Sequence, residues 1–253
     1  TLKKVAEKVS GKDADKTPRP SSLAKLTHDD YTVLLQGMTN QHADICFMSA
    51  FSLSVLEDQR AFGLLLLLSQ ENDASIRSGV CRAFGWLKQT DGIPTLELML
   101  NDDESGVRDA AFTALHQLQP ESALAAERGF AAKHEDIHAR ALKALLDVFS
   151  GKLTKAGKTQ ALGLLTEALN DPFEAIRKET FKACLNRKLG GSEEETLHLL
   201  LASRFENIHL EVLNELMAKA GGVSVPEWVE PLLFELFNDN FETVRKAAFN
   251  FAI

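Results

Sequence analysis

One tyrosine, two tryptophans and three cysteines are spread over 253 residues, and each scarcity excludes something. Cys46, Cys81 and Cys184 are too few, too far apart and odd in number for a disulfide framework or a zinc ribbon. A reducing compartment follows, and the chain is expected to be cytoplasmic. The longest aliphatic run, Leu64 to Leu68, is far too short to span a bilayer, and no charged segment followed by an apolar one opens the chain. No membrane partner is therefore expected. Positive charge is also short: the formal net charge is −8, which argues against a surface uniformly coated in basic residues for gripping nucleic acid. Gly-x-Ser-x-Gly, a Walker loop and a dinucleotide fingerprint are all missing, which excludes the chemistries those motifs carry.

What is abundant is Leu, Ala, Glu and Lys, a composition that favours helix over sheet. The clearest segment is Ile93 to Leu118. It holds an apolar helix, an acidic turn at Asn101 to Glu104, and a second helix with apolar residues at Val107, Ala110, Ala111, Ala114, Leu115 and Leu118. That spacing is the stripe of a helix buried on one face. With Val107 taken as position zero, the pattern recurs at Ile45, Ile76, Ile137, Ile176, Ile208 and Val244, at spacings of 31, 31, 30, 39, 32 and 36 residues. A period that wanders through the thirties without strand signals marks a helical solenoid.

Two columns support the register. Position +4 is small or β-branched throughout (Ser49, Val80, Ala111, Ala141, Thr180, Val212, Ala248), as close helix approach requires. Position +5 is apolar throughout (Ala50, Cys81, Phe112, Leu142, Phe181, Leu213, Phe249), so each second helix is buried on two sides, as stacking demands. First helices are expected at about 29–37, 61–69, 94–100, 122–132, 158–169, 193–202 and 227–237. Capping boxes at Ser192/Glu195 and Ser224/Glu227 place two of the starts. Residues 150–158 form a Gly/Lys/Thr loop that explains the spacing of 39, and Gly221-Gly222 reads as a helix stop. The Lys-rich segment 1–22, ending in Thr-Pro-Arg-Pro-Ser-Ser, is read as a flexible tail and 23–253 as the repeat domain. The first residue is Thr and the last lies within a helical pattern, so the chain is expected to be a piece of a longer protein.

The pattern resembles HEAT repeats over residues 27–253. The matching features are a Pro in the first helix (Pro94, Pro231), an Asp in the turn (Asp102, Asp171, Asp239), and Val/Ile-Arg opening the second helix. That pair appears as Ile76-Arg77, Val107-Arg108, Ile176-Arg177 and Val244-Arg245. The resemblance implies a right-handed all-α solenoid of about seven helical hairpins, the last one truncated. It also implies a ladder in which the turn Asp and the Arg tie neighbouring repeats together. Repeats one, four and six depart from it: Cys46, His138 and His209 replace Arg, while Asn40, Ala132 and Ser203 replace Asp. Breaks in stacking are expected there.

His134-Glu135-Asp136-Ile137-His138 matches HExxH, the helical motif in which two His one turn apart bind zinc. The repeat register offers another explanation. Glu135 shares a column with Glu174, Glu206 and Glu242, His138 sits in the Arg column, and His134 falls in the interhelix turn. His134 and His138 are the only metal candidates, and no cofactor is expected. The deoxyhypusine hydroxylases, HEAT-like enzymes that resemble this chain in architecture, set His-Glu pairs in several repeats to hold two irons, and here a single pair exists. The three cysteines lie on second helices and read as inert thiols rather than nucleophiles.

Charge is unevenly spread. From position zero to +11 the second helices carry 12 Lys and Arg against 5 Asp and Glu, a basic ridge on an acidic chain. In HEAT-like solenoids second helices line the concave face. Arg77, Arg82, Arg108, Lys143, Arg177, Lys178, Lys182, Arg245 and Lys246 are the candidate binding residues. The expected function is a non-catalytic scaffold that binds a protein or peptide, acidic in character, along this face. The alternative is a nucleic-acid-binding domain using the same ridge, for which aromatic interleaving is thin because only Trp86 at +10 is available. A metal-dependent enzyme at His134 and His138 is the third reading.

Overall fold

The computed structural model describes residues 28–37, 40, 42–55, 59–119, 123–151, 154–221 and 225–252. The expected tail at 1–22 and the cap at Ser224 lie outside them. Fourteen α-helices and no strand are found among the described residues, arranged as seven helix-turn-helix pairs. The chain is an all-α helical-repeat solenoid. Two compact units are distinguished, Thr1–Ile137 and His138–Ile253. No described helix is long and apolar enough to cross a membrane.

In the first unit the pairs are α1 (His28–Gly37) with α2 (Ala43–Val55), α3 (Gln59–Leu68) with α4 (Ala74–Trp86), and α5 (Ile93–Met99) with α6 (Ser105–Leu118), followed by α7 (Leu124–Phe130). Helix α4 starts where Asp73 accepts the backbone N–H of Ser75 at 2.8 Å, filling one of the donors a helix start leaves open. Pro94 stands in the first turn of α5, where its missing N–H removes no helical bond. Helix α8 (Glu135–Phe149) contains the division between the units.

In the second unit the pairs are α9 (Lys155–Leu169) with α10 (Glu174–Arg187), α11 (Glu193–Leu200) with α12 (Glu206–Ala220), and α13 (Val229–Leu236) with α14 (Glu242–Ala252). The expected start of α9 at residue 158 is three residues late, because Thr154 caps the helix by accepting from Gly157 N–H at 3.1 Å and so shortens the loop. Ser192 and Glu195 form the reciprocal capping box of α11. Helix α10 ends on Lys188 in the left-handed region (φ 49°), and Gly191 continues the turn at φ 121°, a conformation open to glycine. Gly221 terminates α12 as expected.

All seven residues of the +4 column are fully buried, each at 0% exposure. The +5 column is buried from Ala50 to Leu213 and opens only at Phe249, on α14. Small side chains at +4 let helices approach, and apolar ones at +5 fill the space between repeats. Within each unit the core is thus built from similar sections, one per repeat.

Candidate binding surface

Position +1 on each second helix carries the ladder. In the first unit Arg77 grips Asp102 of the next turn through two bonds, Nε to Oδ2 at 2.7 Å and Nη2 to Oδ1 at 2.8 Å. Its Nη1 donates to the carbonyls of Glu71 and Asn72 in its own turn. Arg108 repeats this with the carbonyls of Asp102 and Asp103, but the column that should supply its carboxylate holds Ala132. Asp136, four residues on, takes the role at 2.8 Å. Cys46, which replaces Arg in repeat one, keeps the local half of the motif by donating its thiol to the Asn40 carbonyl at 2.9 Å.

The breaks expected where His138 and His209 replace Arg do not occur. His138 Nδ1 lies 2.5 Å from Asp171 Oδ2. His209 Nδ1 lies 2.6 Å from Asp239 Oδ2, with its Nε2 2.8 Å from the Ser203 carbonyl. An imidazole reaches the same two acceptors as a guanidinium because its two nitrogens point in divergent directions. The rung that does lack a carboxylate follows Arg177, where Ser203 occupies the Asp column. Arg177 stacks instead over the Phe205 ring, 3.7 Å from its centroid, and its buried Nε has no hydrogen-bond partner among the described residues. Phe173 and Phe241 cover His138 and His209 edge-on in the same way. The aromatic column three residues before position zero therefore seals each rung of the second unit.

These contacts sort the expected ridge. Arg77 is half-buried, Arg108 and Arg177 are buried, and all three are engaged in the ladder. Arg245 donates to the Asp239 carbonyl in its own turn. None of the four stands free as a ligand-gripping cation. Arg82, Lys143, Lys178, Lys182 and Lys246 are exposed, and three of them are partly neutralised by a carboxylate on their own helix: Lys178 by Glu174, Lys182 by Glu179, Lys246 by Glu242. Exposed pairs of this type contribute a few tenths of a kcal/mol, roughly, but they flatten the local field.

His134 precedes α8, whereas His138 is buried with Nδ1 on Asp171. Among the described residues no group of three His, Cys, Asp or Glu could hold a metal ion. Burial pushes the thiols of Cys81 and Cys184 up to about 12, far from the reactive range, and raises Cys46 as well.

What the sequence reading missed is a pair of grooves in the second unit. In the first unit α4 lies directly along α6, because Gly85 faces Ala114: a Cβ on Gly85 would come within 3.0 Å of the Ala114 Cα. The same two columns in α10 and α12 hold Leu185 and Glu215. These larger side chains accompany a groove of about 480 Å³ between α10 and α12, with Phe181 and Ile208 at its base. A second groove of about 520 Å³ lies between α8 and α10 over Leu142, Leu146, Ile176 and Ala183. Lys182 and Asn186 line both.

A helical-hairpin repeat protein with an Arg/His–Asp ladder and a grooved second-helix surface is the class so defined. Residues 60–146 match the family model for HEAT repeats, and the described pairs on either side follow the same column pattern. The matched stretch is a run of HEAT repeats. Among solved structures the chain is similar to the complex of CpcE and CpcF of phycocyanin lyase from Nostoc sp. PCC7120, at 17% identity and a TM-score of 0.41, with 95% of this chain and 97% of that chain covered. It is also similar to human deoxyhypusine hydroxylase in complex with glycerol, at 16% identity and a TM-score of 0.31, covering 99% of this chain and 94% of that one. No curated protein matches the chain.

Proposed function

We propose that the chain is a non-catalytic binding module that holds a segment of a partner protein along the second-helix surface of α8, α10 and α12. The observation that carries this reading is the adjoining pair of grooves, each with an apolar base and polar walls, on the face where the repeat core leaves side chains outside. Grooves of several hundred Å³ with a few convergent polar groups are the usual form of a binding site. HEAT repeats serve widely in protein interaction, which supports the same reading. Local neutralisation of Lys178 and Lys182 weighs against a phosphate backbone as the ligand, since such binding depends on a field of unpaired cations.

The test is selection of displayed random 16-residue peptides on the full chain, followed by Asn186→Trp. Asn186 is exposed and lines both grooves, so a bulky residue there obstructs them without entering the core. Selected peptides should lose about tenfold or more in affinity on this variant, equivalent to about 1.4 kcal/mol. Failure to select any peptide, or unchanged affinity, overturns the proposal. Salt-dependent binding of a single-stranded 20-nucleotide probe in place of peptides would move the assignment to nucleic acid.

A further inference from the structure

The expectation from the basic ridge is an acidic partner, but the groove between α10 and α12 has the opposite demand. Resting on the reading just given, we infer that this groove takes a basic, partly apolar protein segment, with two cationic side chains set against Glu211 and Glu215.

The two carboxylates stand one turn apart on α12 and line the groove. Neither is paired with a cation among the described residues. Across the groove, Lys178 and Lys182 on α10 are engaged on their own helix, at 2.7 Å with Glu174 and 3.4 Å with Glu179. The α10 wall is therefore balanced and the α12 wall is not. Three carboxylates, Glu174, Glu211 and Glu215, line the groove with two ammonium groups, Lys178 and Lys182, and the unmatched charge is negative.

The base of the groove defines the rest of the ligand. Phe181 and Ile208 are buried beneath it and Leu185 forms part of its wall, so an apolar side chain entering there loses contact with water. Carboxylates one helical turn apart are separated by about 6 Å between their Cβ atoms. Two Lys or Arg one turn apart on a helical ligand, or alternate residues of an extended one, match that separation. Charged walls over an apolar base favour a protein segment over a nucleic acid, whose phosphates Glu211 and Glu215 repel.

The experiment uses the same displayed 16-residue peptides, selected on the full chain. Enrichment in Lys or Arg pairs beside apolar residues is expected. Glu211→Gln with Glu215→Gln, both at positions outside the core, should weaken those peptides by about tenfold. Glu211→Lys with Glu215→Lys should reverse the selection towards acidic peptides. If the selected peptides bind at the grooves, as judged by Asn186→Trp, but are acidic or indifferent to both double variants, this inference is wrong and the binding-module reading stands. If no peptide is selected, both fail.

Discussion

His209 ties two repeats together with one ring: Nδ1 meets Asp239 of the following turn at 2.6 Å and Nε2 meets the Ser203 carbonyl of its own turn at 2.8 Å. Both side chains of the pair are 5% exposed. Removing the ring leaves a carboxylate buried without its counter-group, a change that costs about 3 kcal/mol or more. His209→Ala should lower the urea midpoint accordingly. His209→Arg should lose much less, since Arg77 performs the same double duty in the first unit. Equal losses for the two variants would show that the ring contributes packing and not a rung.

Ser203 tests the ladder from the other side. Where Asp occupies its column, one carboxylate oxygen accepts an N–H two residues on and the other takes the preceding Arg or His, as Asp171 does with Phe173 and His138. Ser203 performs the first task, accepting from Phe205 N–H at 3.2 Å, but cannot perform the second. Arg177 is left with a buried Nε lacking a partner. Ser203→Asp should stabilise the chain by about 1 kcal/mol, within the range of single repairs of this kind. A urea midpoint that falls would show that the hydroxyl's donation to the Leu169 carbonyl outweighs the missing ion pair.

How far sequence reached follows from these residues. The repeat register was legible because it rests on burial, and burial follows periodicity: the +4 residues from Ser49 to Ala248 are all at 0% exposure. The ladder was legible only where residue type was conventional. His138 and His209 looked like gaps, because a column read by identity does not reveal that imidazole and guanidinium can span the same two acceptors. The individual roles within the ridge were not legible for a related reason, since counting charge along a helix cannot separate Arg108, buried on Asp136, from Lys182 in solvent. The grooves required knowing which residue faces which across neighbouring helices. Their signal, Gly85 and Ala114 against Leu185 and Glu215, lies in two columns whose partnership appears only after folding.

Gly85 supplies the third prediction. An added Cβ would press on the Ala114 backbone at 3.0 Å, and a longer side chain would force α4 and α6 apart. Gly85→Leu should destabilise by about 3 kcal/mol, through overpacking of a filled interface. Gly163 is the control, exposed within α9 with nothing within 4 Å of a Cβ placed there. Gly163→Ala should stabilise by about 0.5–1 kcal/mol through helix propensity alone. Thermal melts of the two variants should shift in opposite directions; a shared direction would mean that α4 and α6 are not in close contact.

The Arg77–Asp102 rung provides a dependence on pH. The Arg77 guanidinium bonded to Asp102 holds that carboxyl below its ordinary value of 3.8, with the Glu104 N–H adding to the effect against the opposing influence of burial. A carboxyl depressed in the folded state binds protons more readily in the unfolded chain. Its contribution is therefore complete above the unfolded value and declines as pH falls through that value towards the folded one. Both side chains are less than one-sixth exposed, at 14% and 12%, so solvent screening removes little of it. Asp102→Asn should lower the urea midpoint at pH 7 by an amount equivalent to about 2 kcal/mol. The gap between variant and parent should hold constant down to about pH 5 and then narrow through pH 4 and below as the parent's carboxyl takes up its proton. A gap that keeps its size at pH 3 would mean that the amide's altered hydrogen bonding, and not the lost charge, is what weakens the rung.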